Sequence, residues 1–273
     1  MLPFLTLILI WGLSQQVIGI GRRETEMSTA EAGFRRQASP REGGCPRIRE
    51  ITQEEPTSMK TRGRGQGAQQ NEGMGLALKR VARVIGHFVS DGLLDLKYCG
   101  AFLGGSVRPS PKASGAFATE STYYSVLAHI FRTVPLGKDD ILVDVGCGKG
   151  RVLLWAVKHG YQNKMIGIEV NERIAAGTRR RMSSHPNVEI RTLDVRQYLP
   201  EEGSYFYLYN PFEREVVAAF KKRLMQVRGE RTTTIVYYNP QYIDLFLEDP
   251  HWEVTVQRLP LPLLEDMRLA VIR

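Results

Sequence analysis

Val143-Asp144-Val145-Gly146-Cys147-Gly148-Lys149-Gly150-Arg151 sets the reading of this chain. A short run of β-type residues, Ile141–Val145, ends in Gly146, and a helical pattern follows from Val152 to Lys158. Gly146, Gly148 and Gly150 let the backbone turn sharply and approach a ligand with no Cβ in the way. The helix that follows offers unpaired N–H groups at its start. The spacing is G-x-G-x-G. A dinucleotide loop is G-x-G-x-x-G, with a glycine where Arg151 stands. Asp144, just ahead of the loop, suits a cationic or amino-bearing ligand better than a phosphate. Cys147 is read as a small filler of the loop and not as a nucleophile.

Outward from the loop, strand and helix signals alternate. Strands are expected at Met165–Val170, Val188–Asp194, Tyr205–Tyr209, Thr232–Tyr238, Trp252–Leu259 and Met267–Arg273. Helices are expected at Glu172–Met182 and Glu213–Val227, with a short one at Gln241–Leu247. This order predicts an α/β fold, a doubly wound and mostly parallel sheet. Such sheets bind ligands beyond the carboxyl ends of their strands. Three further motifs fall there. Glu169 ends the second strand, where a carboxylate accepts from both hydroxyls of an unphosphorylated ribose. Asp194 ends the third and suits an exocyclic amine of adenine, with the Val195 N–H available to a ring nitrogen. Tyr209-Asn210-Pro211-Phe212 ends the fourth, where Asn210 can present its amide oxygen to an incoming amine and Phe212 an aromatic wall. Tyr237-Tyr238-Asn239-Pro240 repeats the idea after the fifth strand, as a structural or substrate-lining copy.

The chain has 273 residues, 42% of them hydrophobic and 24% charged, the balance of a globular protein. That excludes a collagen, a polytopic membrane protein and a wholly disordered chain. The formal charge is +8, and half of the surplus lies between residues 21 and 80. The remainder is nearly balanced, which argues against a dedicated nucleic-acid groove. Cys45, Cys99 and Cys147 are too scattered for a disulfide framework or a zinc site. No metal is expected.

Residues 1–20 are apolar and uncharged. The core Leu2–Leu13 has the length of a signal-peptide core and falls short of a membrane span. It reads as an export signal, a marginal anchor giving weak membrane association, or an upstream extension absent from the working protein, with Met27, Met59 and Met74 as later starts. Residues 21–75 read as a disordered basic tail. Order is expected from Leu76, where Leu78, Val81, Val84, Ile85, Phe88 and Val89 recur at helical spacing. Residues 76–135 then form a helical extension and residues 136–273 the main domain.

Taken together, VDVGCGKGR at 143–151, GIEV at 167–170, LDV at 193–195 and YNPF at 209–212 resemble the class I S-adenosylmethionine-dependent methyltransferases, over about Leu94 to Arg273. The resemblance implies a seven-stranded sheet of order 3-2-1-4-5-7-6 with helices on both faces. It implies S-adenosyl-L-methionine as cofactor. Asp144, Gly146, Cys147, Gly148 and Gly150 would hold its methionine part, Glu169 its ribose, and Asp194 with Val195 its adenine. Asn210 would sit beside the reactive methyl. A weaker similarity is to histone-lysine methyltransferases that lack a SET domain. On that pattern Ala118–Tyr124 folds over the cofactor, with Glu120 or Tyr124 touching it, so the catalytic candidates are Asn210, Glu120 and Tyr124.

The function expected is methyl transfer to an amine, with protein lysine favoured narrowly over RNA or a small molecule. A non-catalytic module that keeps the pocket and an NAD-type oxidoreductase stand against it. Because the donor is made there, the expected location is the cytoplasm; the alternative is a membrane-anchored chain whose catalytic domain faces the cytoplasm.

Overall fold

The computed structural model describes residues 66–106, 120–209, 212–229, 231–260 and 267–273, with side chains from residue 82 onward. The apolar leader at 1–20, most of the expected tail, Ala118, Thr119 and Asn210 lie outside the described residues. Helices are α1 (Gln66–Cys99), α2 (Tyr124–Thr133), α3 (Arg151–Lys158), α4 (Glu172–Met182), α5 (Arg214–Arg228) and α6 (Asp244–Leu247). Strands are β1 (Leu142–Val145), β2 (Met165–Glu169), β3 (Val188–Thr192), β4 (Tyr205–Tyr209), β5 (Thr234–Tyr238), β6 (Val254–Arg258) and β7 (Arg268–Ile272).

The seven strands form one sheet in the order β3-β2-β1-β4-β5-β7-β6, as the family resemblance implied. β1 to β5 run parallel, and β7 pairs antiparallel with both β5 and β6. Alternation along each strand divides the core. Leu142, Tyr205, Tyr207, Val236 and Tyr238 pack on one face, against α2, α3 and α4. Val143, Val145, Phe206, Leu208, Ile235 and Tyr237 pack on the other, against α5 and α6. Phe212 is buried in this second core. It is therefore not the aromatic wall that its place in the YNPF motif suggested.

The first helix differs from expectation in two respects. Its backbone starts at Gln66, ahead of Leu76, despite Gly67, Gly73 and Gly75 in that stretch. The residues it buries also differ. Val84, Ile85 and Phe88 are half-buried, yet Val89, Leu93 and Leu96 are exposed, while Asp91 and Asp95 are inside. A partner supplied by the loop after β1 reverses the simple apolar rule.

Candidate active site

The loop after β1 is held from three sides. Gly146 N and Cys147 N both donate to Ile168 O of β2, at 2.9 and 2.8 Å. Gly146, Gly148 and Gly150 have φ of 77°, 50° and 81°, so each alternate residue is left-handed and a Cβ there would be strained. Thr178 of α4 closes the third side: its hydroxyl donates to Gly148 O at 2.8 Å. A Cβ on Gly150 would stand 2.7 Å from Thr178 Cγ2. Beneath the loop, a Cβ on Gly167 would lie 2.8 Å from Cys147 Sγ, Leu153 Cδ1 and Ile190 Cδ1. Cys147 is thus a packed side chain, and burial pushes its thiol well above the usual range.

Two carboxylates face this loop. Asp144 is 3% exposed, and its Oδ2 has no hydrogen-bond partner among the described residues. Burial, reinforced by the nearby Glu169, pushes its pKa up to about 8. Glu169 Oε2 accepts from Gly148 N at 3.1 Å and Oε1 from Asn171 N at 2.8 Å. Burial raises its pKa against the pull of those N–H groups. Asn171 in turn caps α4, its Oδ1 accepting from Arg173 N and Ile174 N. One carboxylate therefore couples the glycine loop to the start of α4.

Asp194 is differently placed. Arg196 donates to it from Nε at 3.0 Å, from Nη2 at 2.6 Å and from its backbone N at 2.9 Å. These bonds hold its pKa below the usual carboxylate range. The carboxylate expected to meet adenine is thus already clasped by a neighbour two residues on. The Val195 N–H has no protein acceptor among the described residues.

Of the catalytic candidates, Glu120 is exposed and accepts from Tyr209 OH at 3.3 Å. Tyr209 packs on Tyr238 with ring centroids 4.6 Å apart. Tyr124 is elsewhere. Its ring is 5% exposed, its hydroxyl donates to Asp95 Oδ1 at 2.8 Å, and its N–H donates to Asp91 Oδ2 at 3.0 Å. Burial pushes its phenol far above the usual range.

Tyr124 belongs to a buried ionic cluster that sequence reasoning missed. Arg151 donates to Asp95 through Nε at 3.1 Å and Nη2 at 2.5 Å, and through Nη1 to Asp91 at 3.3 Å and Thr122 O at 3.4 Å. Its guanidinium carbon lies 5.1 Å from the Tyr124 ring centroid. Asp95 Oδ2 also accepts from Leu103 N. Lys149, inside the loop, donates to Gly104 O at 2.5 Å and Gly105 O at 3.3 Å. Thr122 and Tyr207 share a buried hydrogen bond of 2.8 Å. The available signal was the Asp91/Asp95 pair, four residues apart on a helix and so on one face. Among the described residues no group of His, Cys, Asp and Glu is arranged to hold a metal, and no helix is long and apolar enough to cross a membrane.

Comparison with known proteins adds to this geometry. A family model described as a methyltransferase domain matches residues 142–226. A ribosomal RNA small subunit methyltransferase A of Thermotoga neapolitana is 27% identical over 113 residues, 38% of this chain and 43% of that protein. A protein-lysine N-methyltransferase of Saccharolobus islandicus is 34% identical over 47 residues, 17% of this chain and 29% of that protein. The chain thus spans less than half the length of either relative. An RNA methyltransferase from Salinibacter ruber, solved in complex with S-adenosyl-L-homocysteine, superposes with a TM-score of 0.43 at 20% identity, covering 55% of this chain and 91% of that one. The matched span opens on the first residue of β1 and ends within α5, so it contains the glycine loop and both facing carboxylates. Residues 142–226 thus match a methyltransferase domain, and they lie in a seven-stranded sheet with the strand order that the class I resemblance implied.

Proposed function

We propose that this chain transfers a methyl group from S-adenosyl-L-methionine to an amine, with a protein lysine as the favoured acceptor. The observation that carries the reading is the buried, unpartnered Asp144 Oδ2 behind a loop of three left-handed glycines. A buried carboxylate with one oxygen unmet is unfavourable unless a cation or donor reaches it. The ammonium of the donor's methionine part fits that need, and the glycines leave the room for close backbone approach. When bound, the donor supplies an electrophilic methyl on a positively charged sulfur.

The chain's own residues then have separate tasks. Asp144 and the loop from Gly146 to Gly150, Cys147 included, hold the methionine end. Glu169 accepts from the ribose. Val195 N–H meets the adenine ring, and Asp194 accepts from the exocyclic amine where Arg196 withdraws one of its N–H groups. Asn210 orients the amine lone pair behind the methyl. That orientation converts an encounter into a directed displacement. Glu120, linked to Tyr209, takes the proton that the methylated amine releases. Tyr124 is assigned to positioning, because its hydroxyl is engaged by Asp95.

The lysine preference rests on charge. Asp144, Glu169 and Glu120 make this end of the sheet acidic, and the half-buried Tyr209 adds an aromatic face beside Glu120, which suits a cationic side chain better than a phosphate. The two curated relatives act on ribosomal RNA and on protein lysine by name, so RNA is the acceptor to test against. Calorimetry should detect S-adenosylmethionine binding and no NAD binding; the reverse would refute the reading. Incubation with labelled donor should then place label in the protein fraction of an unmethylated lysate. Label only in RNA would refute the lysine preference, and donor binding without turnover would leave a sensing module.

A further inference from the structure

The end of β5 carries an arrangement that donor binding leaves unexplained. Asn239 has φ of 51°, the one positive value among the described non-glycine residues. Its Nδ2 is buried and finds no acceptor among the described residues. Its backbone N–H is fixed, donating to Arg268 O ahead of β7 at 2.8 Å. A left-handed non-glycine residue and a buried unmet donor are each unfavourable, and here they coincide. A turn explains only the first. Glycine would make the same turn with less strain, and a turn asparagine ordinarily bonds its side chain to nearby backbone.

The position of Asn239 indicates what the amide serves. It follows the last pair of the β4–β5 register, Tyr209 with Tyr238, whose rings are in contact. Tyr209 OH donates to Glu120, the group given the proton-accepting task above. Asn239 is thus at the acceptor end of the sheet. Its free N–H needs an oxygen from a ligand. An anionic oxygen is disfavoured at a strand end where Tyr209, packed on Tyr238, carries Glu120, whereas a neutral carbonyl is accepted without charge repulsion.

We propose that Asn239 is a specificity-determining residue for the methyl acceptor, its Nδ2 donating to an amide carbonyl of the chain that bears the reacting amine. The site then selects lysine within a peptide over a bare alkylamine. This rests on the amine-methylation reading and deepens it.

The probes are Nα-acetyl-L-lysine methylamide, which carries amide carbonyls, and pentylamine, which has none. Labelled-donor turnover is measured for the wild type, Asn239→Gly and Asn239→Asp, alongside donor affinity by calorimetry and the thermal midpoint. The wild type should prefer the lysine probe in kcat/KM by about 10- to 100-fold, the range for one unmet buried hydrogen bond. Asn239→Gly should melt at the same or a higher temperature, since glycine adopts the left-handed turn freely, and should keep donor affinity. Its preference should nevertheless fall close to unity, and Asn239→Asp, which keeps the shape without the donor, should lose it too. A Gly variant that retains the preference overturns the proposal, as does a wild type that binds donor and fails to discriminate. Failure of the wild type to bind donor overturns the underlying methyltransferase reading instead, and this one with it.

Discussion

Replacing Arg151 by methionine removes the one cation buried between Asp91 and Asp95. The guanidinium is 4% exposed and makes two bonds to Asp95 and one to Asp91. Asp95 would keep Leu103 N–H and Tyr124 OH, and Asp91 would keep Tyr124 N–H, but both charges would lose their counter-ion. Breaking a buried pair from one side is unfavourable by about 3–5 kcal/mol, because the stranded charge stays buried. For a domain of this size, that is a fall in Tm of roughly 6–20 °C. The loss should depend on pH. Even with Arg151 present, burial pushes Asp91 up to about 6. Without the guanidinium, which pulls it down, Asp91 holds its proton more tightly still in the fold than in the unfolded chain, where it ionises near 4. The folded variant therefore binds more protons than the unfolded chain from about pH 4 upward, and its stability falls as pH rises through that window. Thermal and urea unfolding at pH 5 and pH 8 should show the larger deficit at pH 8. A loss under about 1 kcal/mol, or an equal deficit at both pH values, would refute the claim that this cluster is a buried, charged tie.

Asp144→Asn should stabilise the donor-free protein increasingly from about pH 4 to pH 8, the window in which the unfolded carboxyl ionises while the native one, raised to about 8, keeps its proton, and should weaken S-adenosylmethionine binding by about 10-fold or more. In the wild type, a cation that lowers this pKa must drive a proton off, so donor affinity should climb between pH 6 and 8; a flat profile by calorimetry counts against Asp144 as the ammonium partner. Glu169→Ala strands Gly148 N–H and Asn171 N–H and removes the ribose acceptor, so both stability and donor affinity should drop; unchanged affinity would remove the ribose assignment. Gly167→Ala forces a methyl against three side-chain atoms at 2.8 Å and should lower stability by about 1–3 kcal/mol, measured by urea unfolding. Asn210→Ala should leave donor affinity in place and slow turnover at least tenfold.

The parts of the site legible in the sequence are those whose causes are local. Three glycines at alternate positions encode a loop with three left-handed residues, and the structure gives each a positive φ. Alternation of strand and helix signals encodes the parallel sheet, and the strand tips then follow, so Asp144 and Glu169 could be named in advance. The illegible parts depend on partners distant in sequence. Asp91 and Asp95 look like solvent positions on a helix, because nothing near them announces Arg151. Tyr124 looked available because its hydroxyl's partner is Asp95, on another helix. Thr178 and Thr122 are hydroxyls with no motif around them, and only the fold reveals that one holds Gly148 O and the other meets Tyr207. Asp194 is the instructive middle case. Arg196 was in plain view two residues away, yet a fork of bonds to one carboxylate is a matter of rotamer, which spacing does not specify.

These distant ties bear on ligand choice. A glycine loop at a helix start is by default an anion site, and a lysine and an arginine inside it would strengthen that character. Here both cations are engaged elsewhere. Lys149 is turned onto the Gly104 and Gly105 carbonyls, and burial lowers its pKa. Arg151 is held by two aspartates from α1. The residues before β1 thus remove from the loop the charges that a pyrophosphate would need. Asp144 and Glu169 remain beside it, both with raised pKa values, and Arg181 reaches the loop only at the Lys149 carbonyl. A pyrophosphate there would meet two carboxylates and, among the described residues, no cation pointed at it. A sulfonium with an ammonium would meet two acceptors in a dry setting, where each opposite charge counts for more than in water. On the proposed reading, selection of donor over dinucleotide would come from two sources: the glycine spacing, and a helical extension that draws the loop's own cations away from it.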